Sequence, residues 1–225
     1  VYDSGRRHNL VWLPRWGCNG MITSAQKLLM ARAGVKSPVA PFTLLGTSTF
    51  TGDPNITNIS LPSGAEEGAT WVLAFRGGNG TMTFPSGFQD LGQLSASSGF
   101  FVSAKTLTLA DITQGSFAFT SSVSGTNRVA TAVYASCSVS AFTSPVNTSD
   151  TTTSSIVPTA DGLGLVAFDS SGSADPTFTP TLEPRDVGNS GVKLFSDTVS
   201  NGVTFGPYTF PSGRARVRHV LILLE

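Results

Sequence analysis

Residues 70–76 read Thr70-Trp71-Val72-Leu73-Ala74-Phe75-Arg76, and on an extended chain Trp71, Leu73 and Phe75 share one face. Residues 128–139 repeat the pattern, with Val129, Thr131, Val133, Ala135 and Cys137 on one side. Outward from these two stretches, everything after Phe42 consists of short period-two runs separated by clusters of Gly, Pro, Asn and Ser. The pattern predicts strands near 43–50, 56–61, 69–76, 80–84, 90–95, 100–109, 116–122, 128–139, 155–158, 163–169, 176–181, 191–198, 203–210 and 216–224. Val220-Leu221-Ile222-Leu223-Leu224 is apolar on both faces, which predicts a central, covered strand. The expectation for 43–225 is an all-β domain of two packed antiparallel sheets, a jelly-roll-like β-sandwich.

Residues 140–155, rich in Ser, Thr and Asn around Pro145, read as the longest loop and divide the body into a front and a back half. The phrase Thr-Phe-Pro-Ser-Gly occurs at 83–87 and again at 209–213, with a further Pro-Ser-Gly at 62–64. Pro presets φ and Gly accepts positive φ, so reuse of a good strand-exit turn explains the phrase more simply than a duplicated ancestor does.

The first 42 residues differ from the rest. Leu10-Val11-Trp12-Leu13-Pro14-Arg15-Trp16 is a short aromatic stretch broken by proline. A helix is expected near 22–33: Thr23 or Ser24 can cap it, Ile22, Ala25, Leu28 and Leu29 recur at helical spacing, and Gly34 stops it. Lys36-Ser37-Pro38-Val39-Ala40-Pro41 then reads as a proline-stiffened linker. The formal net charge is zero, but six basic residues against Asp3 alone give residues 1–42 a balance of +5, which leaves −5 on the body. That contrast allows the arm to fold back on its own sandwich. The exposed apolar strip with Trp12, Trp16, Leu28 and Leu29 suits an attachment element instead.

Charged residues make up only 12% of the chain, about half the usual share, so Ser, Thr, Gly and Asn carry the polar surface. No apolar run approaches the roughly 18 residues of a membrane span, and the six basic residues of the arm are too scattered for specific nucleic-acid binding. Cys18 and Cys137 are the two cysteines; nothing in the sequence shows that they meet, and two unpaired thiols is the simpler reading.

Catalytic signatures are missing from the sequence. His8 and His219 are the two histidines, one in the arm and one in the last predicted strand, and no Gly-x-Ser-x-Gly elbow, zinc spacing, Walker loop or dinucleotide fingerprint occurs. Glu66-Glu67 reads as a solvated pair. Asp169-Ser170-Ser171-Gly172-Ser173-Ala174-Asp175 offers oxygens but lacks the acid spacing of a calcium loop. The expectation is a non-enzymatic protein with no catalytic residue, no metal and no cofactor. One feature rises above this background. Arg214, Arg216 and Arg218 alternate, so on a strand they point to one face, where like charges repel unless acids lie opposite or an anionic partner arrives. An exposed face balanced by strand acids and a contact with another subunit or an acidic glycan both stay open.

Trp71–Arg76, then Thr83-Phe84-Pro85-Ser86-Gly87-Phe88, Phe100–Leu109 with Lys105, Ser116–Thr120 and Val129–Tyr134 together resemble a β-sandwich module of tailed-bacteriophage virion proteins. Asp161–Phe168 and Pro176–Thr179 fit the same scheme. The likeness covers 43–225 and departs from the pattern at Phe88, where a Trp is usual, and at Ala135-Ser136, where Arg-Gly is frequent. Such modules decorate heads, build tails and fibres, or bind host surface glycans. The resemblance therefore implies a virion structural protein, docked by its arm to other virion proteins or to copies of itself. The alternative is a glycan-binding adhesin or lectin-like module.

Overall fold

The computed structural model describes residues 42–52, 56–78, 80–94, 99–122, 126–135, 137–148, 152–170, 178–179, 182, 187–189, 191–209 and 217–225. The arm, with Trp12, Trp16, Leu28, Leu29 and the expected helix at 22–33, lies outside the described residues, as do Arg214 and Arg216. The body is all-β and antiparallel. Its strands are β1 (Leu44–Gly52), β2 (Ile56–Ser60), β3 (Thr70–Arg76), β4 (Met82–Thr83), β5 (Gln89–Leu94), β6 (Phe100–Thr106), β7 (Ser116–Ser121) and β8 (Asn127–Tyr134). After them come β9 (Val139–Phe142), β10 (Val146–Thr148), β11 (Gly162–Ser170), β12 (Val187–Asn189), β13 (Val192–Val199) and β14 (Val217–Leu224).

Among the described residues three sheets form where two were expected. The first runs β1-β8-β3-β6-β5, the second β10-β14-β11-β13-β12 with β9 also on β14, and the third β2-β7-β4. Isolated bridges Thr152–Thr209, Ile156–Phe205 and Thr179–Thr209 add a row of short pairings. The core explains the extra layer. Val72, Ala74, Val102, Ala130 and Ala132 of the first sheet share one apolar cluster with Leu165, Ala167, Leu194, Val220 and Ile222 of the second. The opposite face of the first sheet is equally apolar: Trp71, Leu73, Phe75 and Val133 pack with Phe117 and Phe119 of the third. The opposite face of the second, through Val166, Phe168, Leu221 and Leu223, is covered by Phe178, Phe205 and Tyr208. The central strands of both large sheets are thus buried on both faces, which is why Trp71–Phe75 is apolar at consecutive rather than alternate positions.

Several local expectations need correction. The strands expected at 155–158 and 203–210 are reduced to isolated bridges at Ile156, Phe205 and Thr209. The stretch 140–155, read as loop, holds β9 and β10, interrupted at Pro145, which has no amide hydrogen to give to the ladder. The predicted strand 100–109 stops at Thr106, and a short helix α1 (Leu109–Gln114) follows. Thr108 caps it: the Thr108 side chain accepts from the Asp111 amide while the Asp111 carboxylate accepts from the Thr108 amide, and Gly115 ends it at φ 70°.

Candidate functional site

Charge is concentrated at one end of the seam between the two large sheets. Period-two alternation places Arg76 on the same face of β3 as Val72 and Ala74, and Arg128 on the same face of β8 as Ala130. Asp169 and Arg218 stand likewise on the core faces of β11 and β14, directly opposite each other in register. Arg218 Nη1 donates to Asp169 Oδ2, and Arg76 Nε lies 3.4 Å from Asp169 Oδ1. Arg128 adds a longer-range attraction. Asp169 and Arg218 are each only 2% exposed. Burial pushes the Asp169 carboxyl above its usual range, against the pull of Arg76, Arg218 and Arg128. The cluster ties the first sheet to the second through a charge that water does not reach.

Lys105 organises a second polar site. Its Nζ lies 2.7 Å from Asp111 Oδ1, donates to the Ser86 carbonyl at 3.3 Å, and sits 5.4 Å and 5.1 Å from the ring centroids of Phe88 and Phe117. Burial raises the Asp111 carboxyl, but the bonds from Lys105 and Thr108 outweigh it and hold the carboxyl below its usual value. Beside this lysine a groove of about 230 Å³ is lined by Thr70, Gly87, Gln89, Thr106, Ser138 and Val139. Its hydroxyls and amide can exchange hydrogen bonds with a polar ligand, whereas the ammonium is already engaged by Asp111.

Of the three ladder arginines, Arg218 is described, and it corrects the expected exposed face: it is buried and paired with Asp169. The signal was in the sequence, because Arg218 has the parity of Val220, Ile222 and Leu224 on a strand that is apolar throughout. Asp169, considered only as a cation ligand, is instead the counter-ion of Arg218, and Arg76 and Arg128 drew no attention as members of a site. Among the described residues no group of three or more His, Cys, Asp or Glu could hold a metal ion. His219 is enclosed in β14, where its Nε2 accepts from the Ser154 amide at 3.0 Å and burial lowers its pKa to about 4. Cys137 is a buried thiol pushed up to about 11 by burial. No described helix is long and apolar enough to cross a membrane.

Compared with protein-family models, with curated proteins and with solved structures, the chain gives no match.

Proposed function

We propose that this chain is a non-enzymatic structural protein of a bacteriophage particle, a capsid decoration, head-fibre or tail component, with a jelly-roll sandwich body and residues 1–42 as its attachment arm. The observation that carries the reading is strand order. β1-β8-β3-β6 lies against β2-β7-β4, the order of the double Greek key jelly roll, with β5 moved to the edge of the first sheet. Jelly rolls of this kind recur in viral capsid and lectin domains. Five of the segments that carry the resemblance to virion modules, from Trp71–Arg76 to Val129–Tyr134, fall within this unit, and Asp161–Phe168 lies on β11 of the second sheet. Deleting residues 1–41 tests the reading: a body with an unchanged β-type far-UV spectrum that no longer joins the particle supports it, and normal incorporation of the truncated chain contradicts it.

A second reading, binding of a host-surface glycan, draws on the groove beside Lys105, because Gln89, Thr106 and Ser138 present the neutral hydrogen-bonding groups that sugars use. Glycan-array binding by the isolated protein, abolished by Gln89→Ala with Ser138→Ala, separates it from the first.

A further inference from the structure

We propose that residues 43–135 and 138–225 are two copies of one unit, and that the inner sheet of each is a self-recognition surface whose partner is the other copy in the same chain. This inference does not depend on a role in a particle.

The first evidence is order. Counting strands within each half, the front sheet runs first-eighth-third-sixth-fifth (β1-β8-β3-β6-β5). The back sheet runs β9 and β10, then β14, β11, β13 and β12, the same order when β9 and β10 together are counted as the first strand. The outer layers agree as well. In front, β7 pairs β2 and β4. Behind, the segment at 205–209 bridges Ile156 and Thr152 on one side and Thr179 on the other, which is again seventh with second and with fourth.

Register is the second evidence. Val102, Ala74 and Ala130 stand in one row across the front sheet, and Leu194, Ala167 and Val220 stand in the matching row behind. The third strands then align as Val72-Leu73-Ala74-Phe75 and Leu165-Val166-Ala167-Phe168. One bulge recurs at one place: the register slips between Leu44 and Gly46 opposite Tyr134 and Val133, and between Val139 and Ala141 opposite Leu224 and Leu223. Each unit closes with the same bond, from the Ala135 amide to the Thr43 carbonyl at 2.9 Å and from the Glu225 amide to the Ser138 carbonyl at 3.0 Å. Bulges are placed features of a fold, so a shared bulge in a shared row is not a product of β-propensity.

Packing supplies the third. β3 lies against β11 and β13, β8 against β13 and β12, and β1 against β12. At the opposite edge Pro145, just before β10, fills the space over Gly92 of β5. Third on third, eighth on sixth and first on fifth are contacts that an isologous arrangement makes when an axis running along β3 and β11 exchanges the units; the further contacts of β12 with β8 and of β13 with β3 place the back sheet part of a strand away from the exact two-fold position. Residues on such an axis meet their own equivalents, and Arg76 and Asp169, equivalent in register, do meet. In two identical copies this row would set like charge against like; Arg in one and Asp in the other resolves it. The faces have also diverged in volume, with Ala130 and Ala132 on β8 where β14 has Val220 and Ile222.

The repeated Thr-Phe-Pro-Ser-Gly does not mark this duplication. Thr83 belongs to the fourth strand and Thr209 to the seventh.

An axis that exchanges the units makes the gap from Glu225 to Thr43 equal to the gap from Ala135 to Ser138, which two residues span. The test is an exchange of blocks that keeps all 225 residues: residues 1–42, then Ser138–Glu225, then Ser136-Cys137, then Thr43–Ala135. The expected product is a soluble β-protein with one cooperative thermal transition within about 10 °C of the parent. A companion variant lengthens the new join by about ten Gly/Ser residues. Folding of the short-join protein supports the duplication; folding of the long-join variant alone, or of neither, overturns it.

Discussion

Arg76 closes β3 and Asp169 stands at the corresponding place near the end of β11, and their side chains meet 3.4 Å apart across the seam of the two large sheets. Each also faces an arginine in its own sheet, Arg128 beside Arg76 and Arg218 beside Asp169. One carboxylate therefore serves cations from both sheets. Removing it takes from the buried Arg218 the carboxylate with which it is paired, so Asp169→Asn is expected to lower stability by about 3–5 kcal/mol. Urea denaturation measures the loss, and a change below about 1 kcal/mol would mean that the pair contributes little.

Exchanging the two charges is more telling. In Arg76→Asp with Asp169→Arg, the carboxylate moved to β3 would face Arg128 as Asp169 now faces Arg218, so the cluster is rebuilt in mirror arrangement. The double variant is expected to recover most of the midpoint lost in Asp169→Arg alone. If the two losses simply add, the two positions are not interchangeable.

His219 makes stability depend on pH. Its folded pKa of about 4 lies below the ordinary value of 6.5, so between those values the unfolded chain binds a proton that the folded chain refuses. Stability is full above pH 6.5 and falls by about 3 kcal/mol as the pH drops to 4. Gln in place of His219 keeps an acceptor for the Ser154 amide and does not titrate. A thermal series on His219→Gln should therefore show a shallower decline over that window.

Gly164 lies on the second sheet at the row where the first sheet has Trp71. The indole of Trp71 packs on Phe117 and Phe119, whereas a Cβ on Gly164 would come within 2.5 Å of the Phe205 ring. The ring of Phe205 takes space that the glycine leaves open. Gly164→Ala is expected to cost about 1–3 kcal/mol by overpacking, and Phe205→Leu in the same chain should relieve part of it.

Asp111 combines the cap of α1 with the ion pair to Lys105. Asp111→Asn is expected to lower stability by about 2–4 kcal/mol. Because the folded carboxyl titrates below its usual value, the wild-type advantage is present above the ordinary carboxylate range and fades as the pH falls through the folded pKa. Denaturation at pH 7 and at pH 3 should show the two proteins converging in acid.

The all-β body was legible in the sequence because alternation and turn residues agree from Leu44 to Leu224, and the apolar run 220–224 reads directly as a covered strand. Its layering was not. Trp71, Leu73 and Phe75 announce one buried face, but only tertiary contact shows that Val72 and Ala74 face a second core. Helix α1 was hidden because Leu107-Thr108-Leu109 continues the strand alternation, although Thr108 and Asp111 form a capping box. The ion cluster was hidden because its members lie far apart in the chain. A duplicated ancestor is not legible in the repeated Thr-Phe-Pro-Ser-Gly for a related reason: the positions that the proposed duplication makes equivalent hold Trp71 and Gly164, Val129 and His219, Arg76 and Asp169, so register rather than residue identity relates the halves.

The role proposed for residues 1–42 is tested most directly by amine cross-linking of intact particles followed by mass spectrometry of the adducts of Lys27 and Lys36. Adducts joining these lysines to other particle proteins or to a second copy of this chain are expected. Adducts confined to residues 43–225 of the same chain, or absence of the chain from purified particles, would contradict it.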